Sequence, residues 1–592
     1  MPFPPRYEWE AVPEPSGLVA GVGHLPHAAA RLLASRGVAD AEAFGRFTKP
    51  SLAVLSDPFG FPNIRAAAER VWRAIDGGEP VAVFGDFDAD GIVATAMLAD
   101  ALGALGANVH AFLPHRINEG YGVTPAALAR CLAECPGARL LITVDCGIGA
   151  REVLRGLPPE VDAIVTDHHH LPPSDALPDV FSVVHPGLPG APVVAKKLCG
   201  AGVAFKLVHA LVKLGRMENR ERALALDPRR WLDAVAVATI ADVVPLVDEN
   251  RVLVSAGLRR LAQTPSVGLA ALMESAGMGK IFSARDVAFR IAPRINASGR
   301  LDTAQDALAL LRSRDPARAK ELAKALHAFN EDRRMLEQGQ LEEILAQLRD
   351  APPLPGATVV ASADWHLGIV GLLAARLSEH FQQPAAVIAL AGPGRARGSL
   401  RADARFDLMA ALTEVSSCLE GFGGHARAAG VSLSPEKIPE FRERFAEACR
   451  SQAGGKPARQ RLRIDAWLEP REVTDALYDA TRLLEPFGEG NEAPRWALAG
   501  LSLREPPRVI GADGAHLALT FACGNRAVRG VWFRAGPLVE KIRSAGNLFD
   551  VAFELTQNTF LDQTSLEFRV VDMRSAANEN HRGQSNNIEK ET

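Results

Sequence analysis

The sequence predicts a multidomain α/β protein in which two α/β lobes, the first built on a mostly parallel sheet, are joined by a long helix and followed by an all-β domain. Short apolar runs alternate with helical segments from residue 81 onward, which indicates βαβ units. A long polar helical region begins near residue 303, and alternating apolar and polar residues dominate after residue 462. A chain of 592 residues also suits about three to five domains.

The predicted elements of the first lobe follow an N-terminal extension, residues 1–60, which holds one helical stretch at about 28–47. The lobe itself covers residues 61–302. Its strands are predicted at 81–86, 108–113, 140–145 and 163–167, and its first helices at 91–105 and 125–133.

The rest of the chain divides into four predicted parts. They are a connecting helical region at 303–350, a second α/β lobe at 351–455, an all-β domain (barrel or sandwich) at 456–574 and a disordered polar tail at 575–592. The run of prolines after residue 351 ends the connecting helix sharply.

Composition narrows the class of protein. With 47% hydrophobic and 23% charged residues and a formal net charge of −4, the chain is typical of globular proteins and unlike a uniformly basic nucleic-acid binder, although a local basic groove remains open. The sequence contains no run of about 18 apolar residues, so it predicts no membrane-spanning helix. The seven cysteines form no CxxC pair and the N-terminus does not resemble a signal peptide, so we expect reduced thiols and a cytoplasmic protein.

Acidic side chains recur where the predicted strands end. They are Asp86, Asp88 and Asp90 after the first strand, Asp145 at the end of another, Asp167 with His168 and His169 after a third, and Asp242 in an apolar segment further on. In parallel sheets the functional site lies beyond the carboxyl ends of the strands. A single Asp-x-Asp pair is more often a solvated turn, but packed carboxylates repel one another unless cations neutralise them. Carboxylates with imidazole and without thiolate favour two ions such as Mn²⁺ or Mg²⁺ over structural zinc.

These segments, in this order, resemble a known family. Asp-x-Asp-x-Asp-Gly at 86–91, Val-Asp-x-Gly at 144–147, Asp-His-His at 167–169 and Ala-Asp-Val at 241–243 are similar to the motifs of the DHH phosphoesterases. Further segments resemble the branch of single-strand-specific 5′→3′ DNA exonucleases: Pro-His-Arg at 114–116, Glu-Gly-Tyr-Gly at 119–122, residues 294–300, 365–371, 398–401 and 423–430, and Glu-Pro-Phe-Gly-x-Gly-Asn at 485–491. The resemblance covers nearly the whole chain, from about residue 32 to residue 571.

The resemblance implies roles for these residues. Asp88 and Asp90 each reach a different metal ion, Asp145 bridges both ions, His168 is the imidazole ligand, Asp242 completes the second site, and Asp86 is a ligand or lies beside one. His169 is expected at the scissile phosphate, and Asp167 is expected to orient an imidazole. Phe87 stands where tyrosine is common in the family and is expected to pack, while His170 is expected in a loop.

The second lobe resembles the DHH-associated domain, which grips the substrate. Candidate substrate contacts are Arg116, Arg294 and Arg300, Ser399 and Arg401, and Gly424 and His425. A hydroxyl, a guanidinium and backbone amides suit a terminal phosphate. Any one arginine could instead form a surface ion pair, and the glycines alone would indicate only a bend. The all-β domain resembles an OB-fold, which can track a single strand of nucleic acid.

The resemblance therefore implies a single-stranded-DNA-specific 5′→3′ exonuclease of DNA repair and recombination that releases 5′-mononucleotides by two-metal hydrolysis. Alternatives are an enzyme of the same family acting on nano-RNA or cyclic dinucleotides, whose members are typically much shorter, and a non-catalytic single-strand-binding relative, which would lack the metal ligands. The implied partners are single-stranded DNA, a single-strand-binding protein and a repair helicase. A monomer without membrane contact is expected.

Overall fold

The computed structural model describes residues 2–15, 17, 25–116, 118–173, 176–279, 282–301, 303–390, 394–454, 460–511, 514–560 and 563–576. The chain forms two compact units. The first consists of Met1–Pro50, Ala458–Glu485 and Glu492–Thr592, and the second of Ser51–Pro457 with Pro486–Asn491. From residue 577 onward, the tail predicted to be disordered lies outside the described residues.

The N-terminal part of the first unit holds one strand and two helices: β1 (Glu8–Ala11), α1 (His27–Ser35) and α2 (Ala41–Thr48). The single helix predicted at 28–47 is wrong, because the chain turns between two helices. Gly37 adopts a positive φ of 77°, which ends α1, and the Asp40 side chain accepts a hydrogen bond from Ala43 N to cap α2.

The first lobe of the second unit is built on a five-stranded parallel sheet in the order β3-β2-β4-β5-β6. Its elements are α3 (Ile64–Asp76), β2 (Pro80–Phe84), α4 (Ala89–Leu105), β3 (Asn108–Phe112), α5 (Pro125–Glu134), β4 (Leu140–Val144), α6 (Arg151–Arg155), β5 (Asp162–Thr166) and β6 (Ser182–Val184). The predicted parallel sheet is confirmed. Since β2, β4 and β5 are neighbours with the same direction, their carboxyl ends meet at one edge.

A helical layer completes this lobe and leads to the second. It comprises α7 (Gly200–Met217), α8 (Glu221–Ala225), α9 (Leu232–Ala241), α10 (Asp248–Leu261), α11 (Val267–Ser275), α12 (Ala284–Asp286), a π-helical turn (Val287–Ile291), α13 (Ala292–Leu301), α14 (Gln305–Arg312) and α15 (Pro316–Asp350). Helix α4 is apolar nearly all round and buried, which is typical of a helix packed on every side. The long connecting helix that the sequence predicts is α15, with 35 residues.

The second lobe is a mixed five-stranded sheet with helices. Its elements are β7 (Thr358–Ser362), α16 (Val370–Phe381), β8 (Ala385–Leu390), β9 (Ala396–Arg401), α17 (Leu408–Glu414), β10 (Gly421–Gly424), β11 (Ala428–Leu433) and α18 (Ile438–Gln452). The order is β10-β11-β9-β8-β7, and only β7 and β8 run parallel. Strand β10 therefore forms one edge of this sheet.

The remainder of the first unit is the predicted all-β domain. Its elements are β12 (Arg461–Ile464), β13 (Ala466–Leu468), α19 (Asp475–Arg482), β14 (Trp496–Leu503), β15 (Arg508–Ile510), β16 (His516–Cys523), β17 (Arg526–Trp532), α20 (Val539–Ser544), β18 (Leu548–Phe560) and β19 (Gln563–Ser575). Pairing runs β14-β18-β19-β17-β16, and β16 pairs again with β14, which closes a barrel. The OB-like prediction is thus confirmed.

The N-terminal strand belongs to this all-β unit. β1 pairs in parallel with β12, so that Glu8 lies opposite Arg461. Asp572 on β19 accepts hydrogen bonds from the backbone amides of Arg6 and Tyr7 and from the indole of Trp9, at 3.1, 3.2 and 2.8 Å. Throughout the described parts of the chain, no helix is long and apolar enough to span a membrane.

Candidate metal centre

The Asp-x-Asp-x-Asp-Gly segment joins the end of β2 to the start of α4. Asp88 is the N-cap of α4, and its Oδ1 accepts hydrogen bonds from Asp90 N and Gly91 N at 3.0 and 3.2 Å. A Cβ at Gly91 would lie only 2.6 Å from the backbone N and O of Asp86, so glycine is required there. The tight strand-to-helix junction therefore holds all three carboxylates at the edge of the sheet.

Helix α7 points its N-terminus at Asp90. Gly200 N and Ala201 N donate to the two carboxylate oxygens of Asp90 at 2.6 and 2.8 Å. A Cβ at Gly200 would lie 2.5 Å from Asp145 Oδ1, so this glycine lets the helix end approach both acids. The partial positive charge of a helix N-terminus stabilises carboxylates in this position.

Asp145 follows β4 and adopts a left-handed backbone conformation, with φ of 60°. Such a conformation is uncommon for a residue other than glycine and occurs often at functional sites. Its amide donates to Thr166 O on β5 at 3.0 Å, which fixes the turn. The strained turn places the Asp145 side chain, which is 3% exposed, among the other acids.

His168 and Asp242 bring two further donor atoms to Asp145. His168 Nε2 lies 3.1 Å from Asp145 Oδ1, 3.7 Å from Asp242 Oδ2 and 3.8 Å from Asp90 Oδ2. Burial, followed by the charge of His169, lowers the pKa of His168 to about 3, so its imidazole is neutral. Within the part of the chain that the structure describes, Asp145 Oδ1, His168 Nε2 and Asp242 Oδ2 are buried without a hydrogen-bond partner. Unpaired oxygen and nitrogen atoms converging in this way fit a divalent cation.

The potential ligands fall into three sets, two of which contain Asp145. Asp86, Asp88 and Asp145 form one group, Asp90, His168 and Asp242 form a second, and Asp145 also groups with His168 and His169; within each group the ligand atoms lie within 4.8 Å of one another. Asp88 and Asp90 are therefore in different groups. This arrangement is compatible with two cations on either side of Asp145.

Burial and mutual repulsion make the ionised form of these carboxylates unfavourable. Burial, and then repulsion from neighbouring carboxylates, raises the pKa of Asp86 to about 8, of Asp90 to about 6 and of Asp242 to about 9. The pKa of Asp145 is raised well above its usual value for the same reasons. Divalent cations would remove this penalty.

Beside the acids, Asp167, His169 and Tyr121 form a hydrogen-bonded chain. Asp167 Oδ1 lies 2.8 Å from His169 Nδ1, and His169 Nε2 lies 2.7 Å from the hydroxyl of Tyr121. Burial would raise the pKa of Asp167, but His169 and the surrounding amides lower it to about 2. Burial would lower the pKa of His169, but Asp167 raises it to about 9. Asp167 thus orients the ring of His169, while His170 is exposed.

A cavity of about 380 Å³ lies between the first and second lobes of the same unit. Arg116 and Ser399, two of the predicted substrate contacts, line it, together with Arg397, Ser432 and the bare backbone of Gly423 and Gly430. No acidic residue is among the described residues that line it. Such a lining suits an anion.

Arg300 and Arg401, two more predicted contacts, lie next to this cavity. Arg300 donates to Gly368 O at 3.3 Å, and Gly368 is part of the lining. A Cβ at Gly371 would lie 3.1 Å from the Arg401 guanidinium and 3.5 Å from Ser399 Oγ. Burial, and then repulsion from Arg116, Arg333 and Arg401, lowers the pKa of Arg300 to about 9. Several guanidinium groups therefore converge here, and their positive charge is not balanced by carboxylates lining the cavity.

Phe87, the departure from the family pattern, packs against this cluster. It is 7% exposed, the Arg116 guanidinium lies 5.0 Å from its ring centre, and the Tyr121 ring meets it edge-on at 6.1 Å. The expected packing role is consistent with these contacts.

Three predicted substrate contacts, Arg294, Gly424 and His425, are not among the residues that line the cavity. Arg294 is buried and donates to His327 Nδ1 at 2.9 Å and to Arg290 O at 2.5 Å. Gly424 ends β10 with φ of 140°, and a Cβ there would meet Ala428 O at 2.4 Å, so it makes a tight turn. His425 lies near the histidines of the metal centre, since the charges of His169 and His170 lower its pKa after burial.

Sequence reasoning missed Tyr121, Gly200, Arg397 and Ser432. Tyr121 lies within a motif that the sequence showed, so its position in Glu-Gly-Tyr-Gly was a usable signal. The alternation of glycines at 421 and 423 was a second signal, because strand interiors rarely contain glycine without a reason. The contact of Gly200 with Asp90 spans 110 residues and left no local signal.

Comparison with known proteins gives three matching family models: the DHH family N-terminal domain at residues 80–239, the DHHA1 domain at 355–451 and the RecJ OB domain at 464–572. A single-stranded-DNA-specific exonuclease RecJ from Bacillus subtilis is 35% identical over 555 residues, which covers 93% of this chain and 68% of that protein. The protein of the same name from Salmonella typhimurium is 37% identical, covering 93% and 96%.

Solved structures agree with these relatives. A crystal structure of RecJ in complex with Mn²⁺ from Thermus thermophilus matches with a TM-score of 0.81 and 33% identity, over 97% of this chain and 80% of that one. A Mg²⁺ complex from the same organism matches with a TM-score of 0.76. The fold and the acidic centre thus define a DHH phosphoesterase whose relatives hold divalent cations. The chain belongs to the family of RecJ single-stranded-DNA-specific exonucleases.

Proposed function

We propose that this protein is a single-stranded-DNA-specific 5′→3′ exonuclease that releases 5′-mononucleotides by metal-dependent phosphodiester hydrolysis. The observation that carries the proposal is the convergence of three unpaired buried atoms, Asp145 Oδ1, His168 Nε2 and Asp242 Oδ2, in a lobe that also borders the arginine-lined cavity. The substrate class is inferred from the related single-stranded-DNA-specific exonucleases, and the metal ion from the related crystal structure with Mn²⁺.

In this proposal Mn²⁺ or Mg²⁺ ions would be held by Asp86, Asp88, Asp90, Asp145, His168 and Asp242. When bound, such ions supply Lewis-acid activation of water and neutralise charge on the scissile phosphate. Asp90 is held for this task by the α7 amides, and Asp145 by its strained turn. His169, oriented by Asp167, contacts the scissile phosphate through Nε2, the atom that Tyr121 now holds.

The cavity accounts for the exonucleolytic mode. Arg116, Ser399 and Arg401 bind a terminal phosphate, and Arg300 adds charge from within the wall. His425 lies in the turn between β10 and β11, and the charge of His169 adds to burial in lowering its pKa, so this end of the sheet can hold a strand end while the next phosphodiester reaches the metal centre. The 5′ polarity rests on the family, and Arg294 remains a predicted contact.

The OB barrel supports a polymer substrate over a dinucleotide. It gives the chain a module that can track a single strand, which a nano-RNA or cyclic-dinucleotide enzyme does not need. Retention of all six acidic and imidazole positions argues against a non-catalytic single-strand-binding relative.

The test is an assay with Mn²⁺ and a single strand labelled at either end, beside a duplex and a dinucleotide of matched sequence. We expect mononucleotides to be released from the 5′ end of the single strand alone. Release from the 3′ end, equal degradation of the duplex, or no metal-dependent degradation would each contradict the proposal. EDTA should abolish the activity, and Mn²⁺ should restore it.

The cellular setting is part of the same proposal. The protein acts as a monomer in the cytoplasm, in DNA repair and recombination, with a single-strand-binding protein and a repair helicase as partners. All seven cysteines are free thiols in the structure, which suits a reducing compartment. Size-exclusion chromatography with light scattering would check the monomer, and a dimer at micromolar concentration would contradict it.

A further inference from the structure

The floor of the cavity is one face of a β-sheet, and its register arranges the side chains in rows. Strands β9, β11 and β10 are antiparallel neighbours, so residues opposite one another project to the same face. One row consists of Ser399, Gly430 and Gly423, and the next row consists of Arg397, Ser432 and Gly421. Both rows line the cavity.

Two of the three glycines in these rows, Gly423 and Gly430, are not explained by packing or by backbone conformation. A Cβ at Gly423 would have no heavy atom within 4 Å, and one at Gly430 would meet only Gly398 O at 3.8 Å. Neither residue has a positive φ. Glycine within a strand commonly marks a place where a ligand approaches the backbone closely. The bare floor is therefore best explained by a ligand that covers both rows.

The second row contains an arginine, Arg397, that is not needed to bind a terminal phosphate at Ser399 and Arg401. The Arg397 side chain lines the cavity, is exposed, and forms no hydrogen bond or ion pair with another described residue. It lies two residues from Ser399 along β9, a step of about 6.5 Å. Arg401 lies two residues from Ser399 in the opposite direction and pairs with Ala428. The Ala428 carbonyl accepts a hydrogen bond from the amide of His425, the residue whose pKa the charge of His169 lowers after burial. A single phosphate held by Ser399 and Arg401 would leave Arg397 and Ser432 without a ligand.

We propose that the cavity accepts 5′ ends that carry a chain of phosphates, and that Arg397 and Ser432 bind the outer phosphates of a 5′-triphosphate. This inference rests on the proposed function, because it assigns the inner phosphate to Ser399 and Arg401. Adjacent phosphorus atoms in a triphosphate lie closer together than one step between the rows, so the chain of phosphates can span both. Arg397 supplies a charge-assisted donor for the outer group, and the glycine floor supplies the space.

The reaction is the same hydrolysis with a different first product. Water adds across the first phosphodiester: its oxygen joins the phosphorus, the bond to the 3′ oxygen breaks, and that oxygen takes a proton. The first product is a nucleoside 5′-triphosphate, and the shortened strand keeps a 5′-monophosphate. Later rounds then use only Ser399 and Arg401.

Binding in EDTA tests the inference without hydrolysis. Fluorescence anisotropy compares one single-stranded DNA sequence that carries a 5′-hydroxyl, a 5′-monophosphate or a 5′-triphosphate and a 3′ dye. We expect the triphosphate to bind about tenfold tighter than the monophosphate. Arg397→Gln should remove this difference by weakening the binding of the triphosphate more than that of the monophosphate. The matched control Arg395→Gln, an exposed arginine outside the cavity lining, should keep the difference.

Two results would overturn the inference: equal affinity for the two phosphorylated ends, or an unchanged preference in Arg397→Gln. With Mn²⁺, chromatography of the first product should show a nucleoside 5′-triphosphate from the wild-type protein. A 5′-terminal nucleotide that leaves the 5′-triphosphate strand as a monophosphate would also contradict the inference. A strand that binds with the expected end preference but is never degraded would instead contradict the proposed exonuclease function, so the two failures are distinguishable. Inorganic triphosphate should compete better than inorganic phosphate, and equal competition would count against the subsite.

Discussion

Replacing Asp242 by asparagine should stabilise the protein without metal and weaken its response to metal. Asp242 ends α9 with its side chain 22% exposed, and its Oδ2 has no hydrogen-bond partner among the described residues. Burial and the charges of Asp90 and Asp88 raise its pKa from 3.8 to about 9. Ionising this carboxyl therefore costs the folded state free energy that the unfolded chain does not lose.

The size of the effect follows from that shift. A carboxyl whose pKa is raised by folding does not destabilise the protein below the pKa that it has in the unfolded chain, near 4. As the pH rises above that value the free energy of unfolding falls, and it stops falling once the pH has passed the folded-state pKa of about 9. At pH 8, about four pKa units at 1.36 kcal/mol each set an upper limit on the order of 5 kcal/mol. Because Asp88 and Asp90 share the repulsion, we expect Asp242→Asn to gain about 2–3 kcal/mol at pH 8 and about 1 kcal/mol at pH 5.

Thermal unfolding at both pH values, in EDTA and in Mn²⁺, measures the prediction. In EDTA the variant should melt several degrees higher than the wild type at pH 8. In Mn²⁺ the wild type should gain more, because a hundredfold loss of metal affinity forfeits about 2.7 kcal/mol of stabilisation. Asp179→Asn, which changes an exposed carboxyl outside the centre, should show neither effect. An Asp242→Asn variant that melts at or below the wild-type temperature in EDTA at pH 8 would refute the reasoning.

Three further predictions concern other parts of the molecule. Asp145→Ala should slow strand degradation by about a thousandfold or more while strand binding measured by anisotropy persists, and wild-type degradation would exclude a central role. Asp167→Asn should return the pKa of His169 from about 9 toward 6.5 in an NMR titration. Its loss of stability should be largest between about pH 4 and 6.5, where both partners are charged in folded and unfolded states, and a uniform loss from pH 4 to 10 would contradict the pairing. Asp572→Ala should expose the N-terminal strand to limited proteolysis at a cost of about 2–4 kcal/mol, whereas the exposed control Asp479→Ala should not; equal cleavage of the two would refute the anchoring role.

The acidic centre could be predicted because its parts follow from local pattern. Apolar runs identify buried parallel strands, and parallel strands bring their carboxyl ends to one edge. Residues within two positions of the ends of β2, β4 and β5 must therefore lie near one another. Asp86 and Asp145 share one group of potential ligands, and Asp145 shares another with His169, the partner of Asp167. The register of the parallel strands brings these residues together, so their order and spacing in the sequence were enough to predict the acidic centre.

Contacts between distant segments could not be predicted in this way. The amides that hold Asp90 come from Gly200 and Ala201, and the tyrosine that holds His169 comes from a loop 48 residues earlier. The cavity floor depends on which residues of β9, β11 and β10 lie opposite one another, which no single strand reveals. The error at residues 28–47 was avoidable, since Gly37 and Asp40 are ordinary signals for the end of one helix and the start of the next.

The pairing of β1 with β12 sets the order in which the chain can fold during synthesis. Glu8 lies opposite Arg461, so the ribosome must add about 450 residues before the first strand meets its partner. At 5–20 residues per second, that wait lasts from about 20 s to about 90 s. The second unit can be nearly complete in this time, while the side chains of Tyr7 and Trp9, which pack near Leu462 and Ile464 in the folded protein, stay uncovered. Until β12 has been made, the unpaired edge of this strand is open to pairing with another chain.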